Sequence, residues 1–265
     1  MYIDAHCHLD VARFDADRAA VMACAEAQGI TGYLVAGVDP EGWRRQRQLA
    51  AAHRSVAWVA GLHPVSVAKM DAEERARAME ELPQCFTGDT PAIGVGETGL
   101  DRRFAAPETL PIQVEVMRAH LALARDADLP VVLHVVAAHG HTLDVLRRDG
   151  LPAAGGMVHS YSGSADLVAE YVALGLSISF AANVVRPAAK KVRRAVSAVP
   201  RDRLLVETDA PDQSPAGPRV RNEPTALLDV ARCVAELRGG ATDEILALSR
   251  SNLERIFGPQ WPVGG

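Results

Sequence analysis

What the chain lacks narrows its chemistry first. Among 265 residues there are three lysines (Lys69, Lys190 and Lys191) and four cysteines (Cys7, Cys24, Cys85 and Cys233), with no C-x-x-C pair. Scattered single cysteines read as free thiols in a reducing cytoplasm. No apolar run approaches the roughly 20 residues that cross a bilayer. No basic start with an apolar core precedes the strand-like stretch at residue 2, so no removable signal, no membrane and no obligate protein partner is expected. An excess of positive charge is also missing: the net charge is −5 and the pI about 6.0. That argues against general affinity for duplex phosphate while leaving room for a local basic rim. P-loop and G-x-S-x-G signatures are absent, as are linkers, repeats and low-complexity runs. A single domain over 1–265 is expected.

What is present is an alternation. Strand-like runs fall at Tyr2–His6, Gly32–Ala36, Val56–Gly61, Ala92–Gly96, Val131–Val135, Gly156–His159, Leu176–Phe180 and Leu204–Thr208. Helical periodicity follows each, as at Arg18–Ala27, Pro111–Ala127 and Ala165–Leu174, with Gly29, Gly150 and Gly175 as stops. Eight β-α units in this length match a (β/α)₈ TIM-like barrel, and a doubly wound open sheet is the competing arrangement. After the eighth strand comes the irregular "APDQSPAGPRVRN", then helical patterns at Thr225–Leu237 and Asp243–Phe257. Asn222 with Pro224 reads as a helix start.

The opening "YIDAHCHLD" carries Asp4, His6 and His8 two apart, which on a strand would share one face. Barrel strands all end on one face, where chemistry is placed. His6 and His8 end strand one, His63 follows strand three in "GLHP", and Glu97 ends strand four in "GVGETGLD". His134 ends strand five, His159 strand six, and Asp209 strand eight in "VETDAP". Five of nine histidines at strand ends, with two carboxylates, form a group that a metal would partner.

Six ligands (His6, His8, Glu97, His134, His159 and Asp209) are too many for one catalytic ion with an open position, so two divalent ions are expected. The expected partition is His6, His8, Glu97 and Asp209 on one ion, with Glu97, His134 and His159 on the other. Glu97 would bridge, because no lysine lies at a strand end to be carboxylated. Nitrogen and oxygen donors suit Zn, Mn, Mg, Co or Ni. Gly94 to Gly99 also spells G-x-G-x-x-G, but "LDRRFAAPETLP" intervenes before a helix and a carboxylate sits where pyrophosphate would lie, so the dinucleotide reading is rejected.

The H-x-H start, "GLHP", "GETGLD", the fifth-strand histidine, "HSYSGS", "ETDAPD" and "RNEP" together resemble the TatD family of metal-dependent hydrolases. The wording is most similar to its YjjV-like branch. The resemblance runs from residue 2 to about 257. It implies a TIM-like barrel, a binuclear divalent-metal site, and phosphodiester hydrolysis of the 3′-to-5′ exonuclease or DNase kind, with the same six ligands. One departure concerns phosphate binding. Where the family usually has an arginine two residues after the fifth-strand histidine, this chain has Val136, and Gly140 stands near a missing acidic residue. Arg102, Arg103, Arg186, Arg219 and Arg221 are the cations that could compensate, Arg102, Arg186 and Arg221 being the preferred substrate contacts.

The expected mechanism uses a metal-activated water, with Asp209 as general base, Glu97 holding the metals and His63 touching the substrate or capping its turn. Asp4 and Glu207 are expected to orient histidine ligands. The expected substrate is a single-stranded nucleic acid end or another phosphodiester. The alternative is an ester or amide hydrolase, such as an aminoacyl-tRNA deacylase or small-molecule amidohydrolase, and a non-catalytic metal-binding descendant is the third reading.

Overall fold

The computed structural model describes residues 1–104, 109–217 and 219–258. The single-domain expectation therefore also covers residues outside the described ones, 259–265 among them. Eight strands are present: β1 Tyr2–Cys7, β2 Ile30–Ala36, β3 Val56–Val59, β4 Val95–Asp101, β5 Val131–Val136, β6 Gly156–Val158, β7 Leu176–Phe180 and β8 Leu204–Val206. Ten α-helices run between and after them: α1 Arg18–Glu26, α2 Pro40–Ala52, α3 Pro64–Lys69, α4 Ala72–Glu81, α5 Thr109–Asp126, α6 His139–Asp149, α7 Ala165–Ala173, α8 Lys190–Ala198, α9 Leu227–Arg238 and α10 Thr242–Phe257. Gly29, Gly150 and Gly175 follow their helices at positive φ, as the sequence reading expected of stops.

All strand pairs are parallel, in the runs β1-β2-β3 and β4 through β8. Backbone bonds join the two runs on both sides. Ala60 N–H donates to Gly94 O at 3.1 Å and Gly96 N–H to Ala60 O at 2.8 Å. Across the other seam, Asp209 N–H donates to His6 O at 3.0 Å and His8 N–H to Ala210 O at 2.7 Å. The sheet thus closes on itself, and the open-sheet alternative falls. α10 packs against β8 and β1, covering that seam.

One apolar cluster gathers alternate strand positions: Ile3, Ala5, Leu34, Ala36, Ala57, Val59, Val132, Met157 and Leu205. The same alternation continues to His134, His159 and Glu207, so this face lines the barrel and leads to the C-terminal ends of its strands. The opposite face, with Tyr33, Val35, Leu133, Val158 and Ile178, belongs to the large cluster that includes the helices' apolar stripes. Among the described residues, no helix is long and apolar enough to cross a membrane.

Three local expectations need correction. The fourth strand starts at Val95 and runs on to Asp101, instead of Ala92–Gly96. "GETGLD" has poor strand propensity, but β5 supplies a ladder along it, with a register slip between Gly96 and Thr98. In β1 the strict alternation fails, because Asp4 pairs with Tyr33 while Cys7 pairs with Val35. The extra residue lets Ile3 and Ala5 join the lining and still turns His6 into the pocket. Asp4 instead accepts the Thr208 N–H at 2.8 Å, tying β1 to the end of β8. Finally, Asn222 does not cap a helix. Its Nδ2 donates to Thr208 O at 2.8 Å, and a 3₁₀ turn at Pro224–Ala226 leads into α9.

Candidate metal centre

The strand ends deliver their polar side chains to one point. His6 and Glu97 are fully buried, and His134, His159 and Asp209 nearly so. Glu97 stands at the middle with its two oxygens facing different neighbours. Oε2 lies 3.3 Å from His6 Nε2 and 3.7 Å from His8 Nε2. Asp209 Oδ1 lies 3.8 and 3.5 Å from the same two nitrogens. Oε1 lies 2.6 Å from His134 Nδ1, 2.7 Å from His159 Nε2 and 3.4 Å from His63 Nε2. The six expected ligands therefore come together, split by Glu97 into the two expected groups.

Outer partners decide which ring nitrogen of each histidine keeps a lone pair. His8 Nδ1 lies 3.2 Å from Ala36 O, which can only accept, so Nδ1 bears the proton and Nε2 faces the pocket. His134 Nε2 lies 2.9 Å from Asp101 Oδ2, so Nδ1 is left free. His159 faces Glu207 Oε1 with Nδ1 at 3.3 Å and turns Nε2 inward. His63 is the exception. Its Nδ1 accepts the Val65 N–H at 2.9 Å, so in the neutral ring Nε2 carries the proton. That makes it a hydrogen-bond donor, not a ligand. The turn-capping expectation for His63 is met: it caps the turn into α3 with Nδ1, while its Nε2 faces the pocket beside His134.

Burial opposes charge throughout the cluster, yet opposite charges overrule it at most members. Glu97 is held well below the usual carboxylate range because the charged His159 beside it and the His134 hydrogen bond outweigh its burial. Asp209 is held low by the His8 hydrogen bond and the nearby imidazoles. For His8, burial is outweighed by Asp209 and Glu97, which carry it up to about 9. His159 is likewise raised by Glu97 and Glu207. His63 goes the other way: burial pushes it down to about 3, so it stays neutral.

The pocket thus favours positive charge, and divalent cations fit its donors. Both ring nitrogens of His6 and Glu97 Oε2 are buried with no hydrogen-bond partner among the described residues. His6, His8 and Glu97 bring three ligand atoms within 4.8 Å of one another, as do His63, Glu97 and His134, and His6, His159 and Glu207. The first of these groups follows the expected partition, whereas the second has His63 where His159 was expected and the third draws in Glu207.

The expected substrate cations are placed unequally. Arg221 is tied bidentately to Asp17 at 2.8 and 2.7 Å and to Glu223 at 2.7 Å, with Phe14 4.7 Å beneath. It serves as a structural clamp. Arg186 is exposed and reaches Ser214 O at 3.3 Å, while Arg102 is exposed and its side chain makes no hydrogen bond or ion pair with any described residue. Arg103 is the cation joined to the centre, through Asp101. Asp101 itself escaped the sequence reading, although it lies on the same strand as Glu97.

Comparison with known proteins agrees with this geometry. The TatD related DNase family matches residues 3–258. The 3′-5′ ssDNA/RNA exonuclease TatD of Erwinia amylovora is 34% identical over 95% of this chain and 97% of its own length. The metal-dependent hydrolase YabD of Bacillus subtilis, whose own activity is uncharacterized, is 32% identical over 97% of this chain and 99% of its own. The crystal structure of the TatD homologue YjjV from Escherichia coli superposes with a TM-score of 0.85 at 31% identity, covering 96% of this chain and 97% of that one. The chain is a metal-dependent hydrolase and belongs to the TatD-related DNase family.

Proposed function

We propose that the centre is binuclear and hydrolyses phosphodiester bonds at single-stranded nucleic acid ends. The observation that carries the binuclear reading is Glu97, whose two carboxylate oxygens each face a separate nest of histidine nitrogens. His6, His8 and Asp209 would hold one ion, His134 and His159 the other, and Glu97 both. The ions would supply Lewis acidity and lower the pKa of water toward neutrality. Support for the substrate class comes from the exonuclease relative named above.

The chain's own groups then have defined tasks. Asp209 stays ionised and takes the proton of the attacking water. As the water oxygen bonds to phosphorus, the bond to the leaving 3′ oxygen breaks and that proton passes to it. His63 Nε2–H is neutral and preset to donate to a phosphoryl oxygen as its charge grows. Asp101 and Glu207 hold His134 and His159 in the ligating orientation.

The half-buried Val136 at the end of β5 favours a second reading, an ester or amide hydrolase with an apolar wall beside the metals. Degradation of a labelled single-stranded DNA oligonucleotide, with Mg, Mn, Co or Zn against chelated controls, separates the two. Metal-dependent loss of terminal nucleotides is expected. Turnover of acyl esters without any nucleotide release would overturn the phosphodiesterase reading.

A further inference from the structure

Aromatic residues make up 5% of this chain, and nearly all described ones are at least partly buried. Phe104 is the aromatic among the large apolar side chains that are exposed, at 38%. It follows Arg103, whose guanidinium carbon stands 5.5 Å from the Phe104 ring centroid. Together the two residues present a flat apolar face and a cation side by side.

Their place in the fold is set by Asp101, the last residue of β4. Asp101 is the register partner of Val136, two residues past His134 on β5, at the strand ends that open onto the metal centre. Arg103 grips Asp101 with one edge only: Nε lies 3.0 Å from Oδ1 and Nη2 2.5 Å from Oδ2. The same Oδ2 receives His134 Nε2. A guanidinium has five N–H donors in a fixed fork, so the edge made by Nη1 and the second Nη2 hydrogen remains available. Nη1 has no hydrogen-bond partner among the described residues, and the side chain is 60% exposed. A buried carboxylate thus anchors an arginine one hydrogen bond away from a ligand histidine, with its other edge turned out.

We propose that Arg103 and Phe104 form a nucleotide subsite beside the scissile bond. Arg103 holds a backbone phosphate with its free edge, and Phe104 stacks on a neighbouring nucleobase. The substrate class follows. Stacking on a surface ring needs an unpaired base, so the subsite takes single strands of any sequence and excludes paired ends. This rests on the phosphodiesterase reading above, which it deepens by naming the groups that recognise the nucleotide.

The test is fluorescence anisotropy of a short labelled single-stranded oligonucleotide with EDTA present, so that nothing is hydrolysed. Wild type, Phe104→Ala, Phe104→Trp, Arg103→Gln and Arg103→Lys are compared on a natural oligonucleotide and on one whose last two nucleotides are abasic. Phe104→Ala and Arg103→Gln should each raise Kd about tenfold on the natural strand, the size of one lost stack or one lost phosphate grip. Phe104→Trp should restore affinity, and Phe104→Ala should change nothing on the abasic strand. Equal weakening on both strands, no weakening on either, or no binding by the wild type overturns the subsite. Metal-dependent hydrolysis of methyl p-nitrophenyl phosphate by the wild type is scored separately. If that diester is cleaved and the base-dependent Kd change is absent, the subsite alone fails. If the Kd change is present and the diester is not cleaved, the phosphodiesterase reading alone fails.

Discussion

Asp101 holds His134 by its outer nitrogen, Oδ2 to Nε2 at 2.9 Å, and so leaves His134 Nδ1 facing Glu97 at 2.6 Å. Buried Asp101 stays ionised because the His134 and Arg103 hydrogen bonds outweigh its desolvation. Replacing it with Asn keeps the shape and removes the charge that fixes the histidine tautomer. Metal affinity should fall about 10–100-fold, as is usual when such outer partners are lost. Competition with a chromophoric chelator measures it, and unchanged affinity would contradict the assigned tautomer.

His63 should behave differently from the ligands. Since its Nδ1 is occupied by the Val65 N–H, His63→Phe should keep the full metal content while kcat drops by about two orders of magnitude, the loss expected for one transition-state donor. Metal analysis beside steady-state kinetics checks it. Loss of an ion in this variant would place His63 among the ligands.

His120 of α5 gives a pH prediction away from the centre. It is fully buried, with Nδ1 2.8 Å from Val116 O and Nε2 accepting the Leu62 N–H at 3.0 Å. Burial pushes its pKa down to about 4, against about 6.5 in the unfolded chain. The unfolded state therefore binds the extra proton first. The stability of the neutral ring is fully present above pH about 6.5 and is lost as pH falls towards about 4, by about 3 kcal/mol. Urea unfolding of chelated protein between those pH values should show a shallower pH slope in His120→Gln, by up to one proton. Identical slopes would contradict a neutral buried ring.

Gly99 marks the close approach of β4 to β5. A Cβ there would lie 2.1 Å from His134 O, at a φ of +143°. Gly99→Ala should destabilise by about 3 kcal/mol or more, since neither strand can move without displacing His134. Chemical denaturation reads this, and wild-type stability would contradict the tight seam.

The centre was legible because histidines and carboxylates gather at strand ends while the strands between them stay apolar. His134 and His159 follow an unbroken alternation along β5 and β6, which the sequence carries in Val132 and Met157. The slip in β1 left no mark in "YIDAHC", since one extra residue in a ladder depends on the partner strand. β4 was misplaced for a similar reason: Gly96 and Gly99 look like breakers, and only the crowding of Val132 and His134 shows why they are there. Asp101 could have been found by counting two-residue steps from Glu97. The clamp on Arg221 could not, because Asp17 lies 204 positions away.

The most direct measurement is the metal content of wild type and Glu97→Ala after loading with Mn or Zn and removal of free ion. Two equivalents per chain in the wild type and fewer than one in the variant are expected, because both nests share that carboxylate. One equivalent in the wild type, or two retained by the variant, would contradict a binuclear centre built on Glu97.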